Sequence, residues 1–428
     1  VRVRDTDDVE LGASTVSGIY NLTAGGAVSD SGDLDIEGAT TILASGSNVV
    51  LDRATHDFTG AVEVEGAAVE LVDANAIDLG TSTVSGTYAV TATAGGDITD
   101  SGVLMITGAA TFTAAGGQSI TLDSNNTFDD TSNAGATDAA VTFAAVSGNL
   151  KNVTVKDSDE FDLVALTLAQ VSSAGGNLTV TAGGKLTDGG ALVIPGTTTI
   201  TATGQEVDLD HTSNNFATIT FGSSTNAVAS VEVVDTNAID IGASKSTGDF
   251  KVTAGGDVTD SGTITVPSSD ATLYAITSAN NGTITLNQLA VTGAIDLSTN
   301  DDANNNTGHA TVVNATAVKL AASSVDGNLS APATTGNILQ TGALTVTGTS
   351  TLVTSADDAD IALTETSNAF TGALLITTND NTDGADDVYA ADVSIDGGTT
   401  GLIMGLSTID GGLTLLNGET ITDTGVAT

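Results

Sequence analysis

The chain has no cysteine and no tryptophan, and it has only three prolines, three histidines and nine lysines and arginines in 428 residues. Without cysteine, disulfides and thiolate metal sites are excluded. With 53 acidic residues against those few cations the formal net charge is −44, so nucleic acid and anionic membrane surfaces are repelled rather than bound. No apolar run approaches the roughly 18 residues that span a bilayer, so no membrane insertion is expected in this segment. Val1 does not open a basic-then-apolar signal sequence, and any export signal is expected outside the segment. Aromatics at 3% leave few bulky side chains for a wide globular core.

What is there in quantity is Val, Ile, Leu, Ala, Thr, Ser, Gly, Asp and Asn, a mixture suited to short β-branched strands separated by tight turns. Regular apolar alternation and a mean hydropathy of +0.20 argue for folding rather than disorder. The acids run along the whole length and read as a solvated surface that keeps the molecule soluble.

Internal repetition is plain. TAGG recurs at Thr23, Thr93, Thr181 and Thr253, each time followed by a variant of VTDSG: AVSDSG, DITDSG, KLTDGG and DVTDSG. Degenerate copies begin at Thr334 (TTGNILQTG) and Leu416 (LNGETITDTG), so long repeats begin near 23, 93, 181, 253, 334 and 416. Other landmarks keep phase. A GxTTI-like segment starts at Gly38, Gly108 and Gly196; a phenylalanine stands at Phe58, Phe128, Phe216 and Phe370; and DxNAID or a relative starts at Asp5, Asp73, Asp157 and Asp235. These landmarks divide each long repeat into four units of about 18 residues.

Each unit alternates with period two, as in NLTVTAGG, EVDLDHTS and SVEVVDTNAIDIG, and is bounded by Gly, Asn or Asp. Three short strands and their turns fit about 18 residues, and stacking such coils pairs each strand in parallel with its counterparts above and below. The expected fold is all-β, a parallel β-helix: one continuous β-solenoid over 1–428, with ladders of Val, Ile, Leu and the repeated Phe inside and glycine supplying positive φ at the turns. About 24 coils at about 4.8 Å would make a narrow rod on the order of 115 Å long. A string of β-sandwich domains is the competing architecture, since one long repeat is near the size of one such unit. The clear shorter period, the absence of Trp and Cys, and the lack of linker composition weigh against it. Val1–Gly26 matches the later half of a long repeat, and neither end carries an atypical capping coil, so the chain is expected to be an excerpt of a longer repeat protein.

Catalysis finds little support. His56 and His211 fall in the same turn phase, LDRATHDF and LDHTSNNF, where Asn occupies equivalent places in LDSNNTF and LTETSNAF; His309 has no partner suggested by spacing. The acids of the TDSG turn, Asp30, Asp100, Asp188 and Asp260, recur four coils apart, about 19 Å, whereas catalytic carboxyl pairs need about 5 to 9.5 Å. The six lysines, Lys151, Lys156, Lys185, Lys245, Lys251 and Lys319, do not cluster, which disfavours a polysaccharide lyase. DTDDVE, DANAID, DSDEFD and DTNAID offer alternate acid and amide oxygens, but they lack the Gly and Glu of calcium loops and read better as acidic turns. No catalytic, cofactor-binding or metal residue is therefore assigned, and calcium is the one cofactor left open.

The stretches TVSGTYAVTATAGGDITDSGVLMITGAATF and NLTVTAGGKLTDGGALVIPGTTTI resemble repeats of large filamentous-haemagglutinin-like exoproteins of Gram-negative bacteria. That resemblance covers nearly the whole chain. It implies a right-handed parallel β-helix, secretion by a two-partner route, and a role in adhesion, aggregation or biofilm at the bacterial cell surface or outside the cell; it carries over no catalytic residue. The expected function is that of a non-enzymatic structural adhesin rod or matrix fibre, whose partners would be copies of itself, end to end or laterally, or surface and matrix glycans. A β-helix that binds or cleaves polysaccharide and a calcium-stiffened surface-layer or stalk protein are the alternatives.

Overall fold

The structure, a computed structural model, describes residues 1–128, 140–171, 173–300, 307–379 and 391–424. A strand with one face buried needs apolar residues at every second position, and the chain supplies them. In Tyr88–Ala92, Leu178–Ala182 and Phe250–Ala254 the odd-numbered places of each strand are buried and the even ones lean outward. Among the described residues every regular element is a strand, and the strands stack in parallel as a β-solenoid of about 18 turns. One short antiparallel hairpin, Gln170–Val171 against Ala174–Gly175, departs from that pattern. The chain divides into two compact units, Val1–Ala217 and Thr218–Thr428.

In the first unit, each of the first three turns lays down three strands. Arg2–Arg4, Val9–Leu11 and Ser14–Val16 make one turn, Tyr20–Thr23, Val28–Asp30 and Leu34–Ile36 the next, and Thr40–Leu43, Val49–Leu51 and Asp57–Phe58 the third. Their registers stack like on like: Val3 opposite Leu22 and Leu22 opposite Ile42, Val9 opposite Val28 and Val28 opposite Val49, Ile36 opposite Phe58. Inside, the repeated phenylalanines Phe58, Phe128 and Phe216 are almost wholly buried. Phe58 is a single rung against Ile36, while Phe128 meets the rings of Phe112 and Phe161 at centroid distances of 6.1 and 6.4 Å. The aromatic ladder that does form, Phe112 stacked on Phe143 with centroids 6.1 Å apart, uses residues outside that landmark.

The turns are longer and fewer than the spacing of landmarks predicts. The step between register partners is short from Val62 to Leu79 and nearly twice as long from Ser119 to Asn152. Following one ladder from Thr23, the steps run to Leu43, Glu65, Thr83, Met105 and Thr127, then from Asn126 to Asp157 and from Asp157 to Ala182. Seven turns therefore separate the TAGG of Thr23 from that of Thr181, and one long repeat is three and a half turns, not four. The TAGG of Thr93 follows Tyr88–Ala92, which belongs to a different ladder, with Val69–Asp73 and Val49–Leu51.

The second unit obeys the same rule. Val252 faces Ala275, Ala275 faces Leu297, Ile295 faces Leu320, Leu320 faces Gln340, Leu339 faces Ala362, Ala362 faces Ser394, and Ser394 faces Thr414. Those seven steps join the repeat at Thr253 to the one at Leu416. The outward positions of this unit include an unbroken column of hydroxyls, Thr259, Thr285, Thr311, Ser330 and Thr351. Threonine is branched at Cβ and stiff, which suits an outward place on a strand.

Glycine is required here mainly by close approach. In the TAGG of the first unit an added Cβ would lie 2.2 Å from the carbonyl oxygen of Thr6 at Gly25 and 1.9 Å from that of Ser158 at Gly183. Only Gly95 among these glycines has positive φ, +85°. The expectation of positive φ at the turns thus holds for a minority, and the previous turn's backbone is the commoner reason.

Candidate functional site

The repeated polar residues form three kinds of structural site, built chiefly from carboxylates and amides that accept backbone N–H groups of a neighbouring turn. A parallel stack leaves N–H groups unpaired wherever a strand turns a corner, and an unpaired buried donor costs about 1–3 kcal/mol. Asp, Asn and Ser side chains are short enough to supply the acceptor locally.

The first site is a corner cap. Asp73, buried at the end of Val69–Asp73, accepts from the N–H of Phe58 at 2.7 Å through Oδ2 and from the N–H of Asn75 at 2.6 Å through Oδ1. Asp157 does the same for Phe128 at 3.1 Å and Asp159 at 2.9 Å. In the second unit Asp235 accepts from Asn237 at 2.7 Å. The repeat that follows has an amide in this place: Asn314 Oδ1 accepts from Val291 at 2.9 Å, and its Nδ2 donates to the carbonyls of Val291 and Ala317, both at 2.7 Å. Two landmarks that the sequence presents separately, the phenylalanine and the DxNAID aspartate, are thus one hydrogen-bonded device. Burial pushes the carboxyl of Asp73 up to about 6, with Asp57 adding to it and the two N–H donors opposing it.

The second site is a brace across the TDSG turn. Asp100 accepts from the N–H of Asp123 at 2.8 Å and from Asn126 Nδ2 at 2.7 Å, while Asn126 Oδ1 accepts from the N–H of Leu104 at 2.8 Å. Asp188 accepts from His211 N–H at 3.3 Å and Asn214 Nδ2 at 2.6 Å, and Asn214 Oδ1 accepts from Leu192 at 2.9 Å. In the second unit Asp260 accepts from the N–H groups of Asn287 at 2.9 Å and Gln288 at 2.8 Å. Gln340 replaces the aspartate in the next repeat and pairs with Asn368 amide to amide, at 2.9 and 3.1 Å. Burial raises the carboxyls of Asp100 and Asp260, and that of Asp188 to about 6.

His56 belongs to this brace. It is wholly buried, its Nδ1 accepts from the N–H of Leu34 at 2.9 Å, and its Nε2 stands 3.5 Å from Asp30 Oδ2. It fills the place of Asn126, Asn214 and Asn368, each of which follows its Asp or Gln partner at nearly the interval by which His56 follows Asp30. Burial holds its pKa below the usual histidine value, outweighing the pull of Asp30. The sequence places His56 and His211 in one turn phase, and the structure separates them: His211 lies three residues before the brace position and accepts from the N–H of Ser213 at 3.2 Å. His309 sits in a third device, a column of corner residues in which each acceptor takes the N–H one turn on. His309 Nδ1 accepts from Asn328 at 2.9 Å, and Asn328 Oδ1 from Thr349 at 2.8 Å. Asp97, Asn152 and Asn177 do likewise for Ser119, Asn177 and Thr197 in the first unit.

The acids of the TDSG turn do not meet one another. Asp30 and Asp188 end strands of one ladder and Asp100 lies on another, because a half-integral repeat alternates its faces. Among the described residues no three His, Asp or Glu side chains converge into a metal-holding group. Two surface grooves are lined by Arg2, Arg4, Asn21, Thr23, Thr41 and Leu43 and by Ser223, Ser224, Ser244, Lys245, Thr263 and Thr265; neither lining holds a carboxylate or an imidazole to move a proton. The motifs align the asparagines of LDSNNTF and LTETSNAF with the histidines, but they do not show that Asn126, Asn214 and Asn368 pair with the TDSG position. The signal for that pairing is the near-constant interval from the TDSG position.

Comparison with known proteins returns one family. The model for repeats of unknown function (DUF5649) matches residues 1–65, 66–135, 150–221, 227–306 and 307–377. Each matched segment contains one TAGG or its degenerate copy, at Thr23, Thr93, Thr181, Thr253 and Thr334. No curated protein and no solved structure matches the chain. The filamentous-haemagglutinin-like kinship accordingly rests on the motif resemblance alone. Five consecutive matches spanning most of the chain make it a member of the family of repeats of unknown function, DUF5649.

Proposed function

We propose that this β-solenoid is a passive structural scaffold of an extracellular bacterial adhesin or matrix fibre, one that carries or spaces adhesive parts and itself catalyses nothing. The observation that supports this most directly is the use made of its polar repeats. His56, His309 and the repeated aspartates that a catalytic or metal reading would enlist accept backbone N–H groups between turns, at Phe58, Phe128, Leu34 and Asn328 among others. A side chain that holds one turn on the next is engaged in every copy of the repeat, whereas a catalytic centre is singular. The net charge of −44 favours a surface exposed to solvent and disfavours nucleic acid as partner.

Antibody raised against Val1–Ala217 and applied to intact, unpermeabilised producing cells tests the location. Surface labelling is expected, together with reduced cell–cell aggregation or attachment when the encoding repeats are deleted. Labelling only after permeabilisation, or unchanged attachment in the deletion strain, overturns the reading. Incubating the chain with acidic and neutral glycans is expected to release no new reducing or unsaturated ends, and reproducible cleavage would replace the scaffold with a polysaccharide-active protein.

A further inference from the structure

We propose that the caps and braces act as an acid-strengthened lock, so that the solenoid is held more firmly in mildly acidic surroundings than at neutral pH. The geometry carries this through a comparison of repeats within the one chain. Asp73 and Asn314 do the same work in different copies, as do Asp188 and Gln340. At both places the neutral side chain fits the same corner and gives bonds that a carboxylate cannot. Asn314 uses its second atom to donate to the carbonyls of Val291 and Ala317, and Gln340 donates to Asn368 Oδ1 and to the carbonyl of Gly342. A carboxylate has no proton to give. A protonated carboxyl has one, and so resembles the amide that other repeats employ.

The charged groups acting on these carboxyls are themselves mostly acids. Asp57 acts on Asp73, and Asp210 acts on Asp188 beside His211. Asp123 acts on Asp100 and Asp240 on Asp260. Asp30 differs, since His56 and Arg53 stand 3.5 and 3.8 Å from its Oδ2, and it is left out of the lock. The sign follows from linkage. A carboxyl whose pKa is higher folded than unfolded binds its proton preferentially in the folded state, so its contribution is full below the unfolded value near 4 and is lost as pH rises through about 6.

Two effects of acid must be told apart, because lowering the pH also relieves the general repulsion of a chain charged to −44. Repulsion between exposed charges is screened within about 3 Å at 1 M salt, whereas a buried cap is screened far less. The whole chain is therefore unfolded with urea at pH 7.5 and pH 5 in about 1 M NaCl, alongside D73N/D188Q and the exposed-acid control E10Q/E37Q. Expected is a higher urea midpoint at pH 5 for the wild type and the control, and a clearly smaller rise for D73N/D188Q. Equal rises in all three proteins, or a wild-type midpoint that falls with acid, overturn the proposal. If D73N/D188Q does not fold, carboxyl titration of the wild type labelled with carbon-13 at aspartate decides: at least two aspartates are expected with midpoints near 6, and none above the ordinary carboxylate range overturns it. This outcome is independent of where the protein resides or what it adheres to.

Discussion

At the scale of the residue, the economy of this chain lies in short acceptors placed against N–H groups that a parallel stack cannot pair. Asp73 shows what each is worth. In D73A the Phe58 and Asn75 N–H groups lose their acceptor inside the stack, and a loss of about 2 kcal/mol is expected in urea unfolding. D73N keeps an acceptor and discards a buried charge, so it should stay within about 1 kcal/mol of wild type at pH 7.5. His56 invites the complementary experiment. The amides at its place close to 2.7 Å (Asn126) and 2.6 Å (Asn214) on their aspartates, whereas His56 stops at 3.5 Å from Asp30. H56N is therefore expected to fold with unchanged or slightly higher thermal midpoint, where a catalytic His56 would have tolerated no such exchange in any activity assay.

At the scale of the element, turns touch so closely that some corners admit no side chain. An added Cβ on Gly102 would come within 2.1 Å of Thr81 N, while one on Gly12 would meet nothing within 4 Å. Overpacking of this kind typically costs about 1–3 kcal/mol. G102A should lower the thermal midpoint measurably and G12A should not, and equal effects would show that the contact between turns is not what selects glycine. The period-two alternation made the strands legible, and the Gly, Asn and Asp between them marked the corners. The number of strands per repeat was harder to read. A long repeat divides by four into units of about 18 residues, yet the register step from Ser119 to Asn152 is nearly twice that from Val62 to Leu79, so the length of a turn is not constant along the chain. Only pairing reveals that the same TAGG serves on alternating ladders.

At the scale of the whole molecule, charge and repetition set the behaviour. Several of the repeated acids, Asp73, Asp100 and Asp188 among them, are structural acceptors that meet N–H groups of the stack rather than pointing outward for a cation. We accordingly expect removal of calcium with a chelator, or its addition at millimolar level, to leave the thermal midpoint of the chain unchanged. A rise on adding calcium that is reversed by chelator would instead support a calcium-stiffened scaffold. Ion pairs such as Arg53 with Asp33 at 2.7 Å, Lys185 with Asp208 at 3.3 Å and Lys251 with Glu232 at 2.6 Å lie on the surface and contribute little.

By itself the amino-acid sequence determined that this protein is an all-β repeat solenoid, because alternation, glycine-bounded corners and recurrence are local properties that any copy displays. It also determined that disulfides and thiolate metals are absent. The tertiary structure decided what links turns that are distant in sequence: three and a half turns to a repeat, Asp73 on Phe58, and His56 in an asparagine's place against Asp30. Those facts depend on which residue comes to lie above which. That is set by the summed lengths of the corners around each turn, and no single segment of the chain records it.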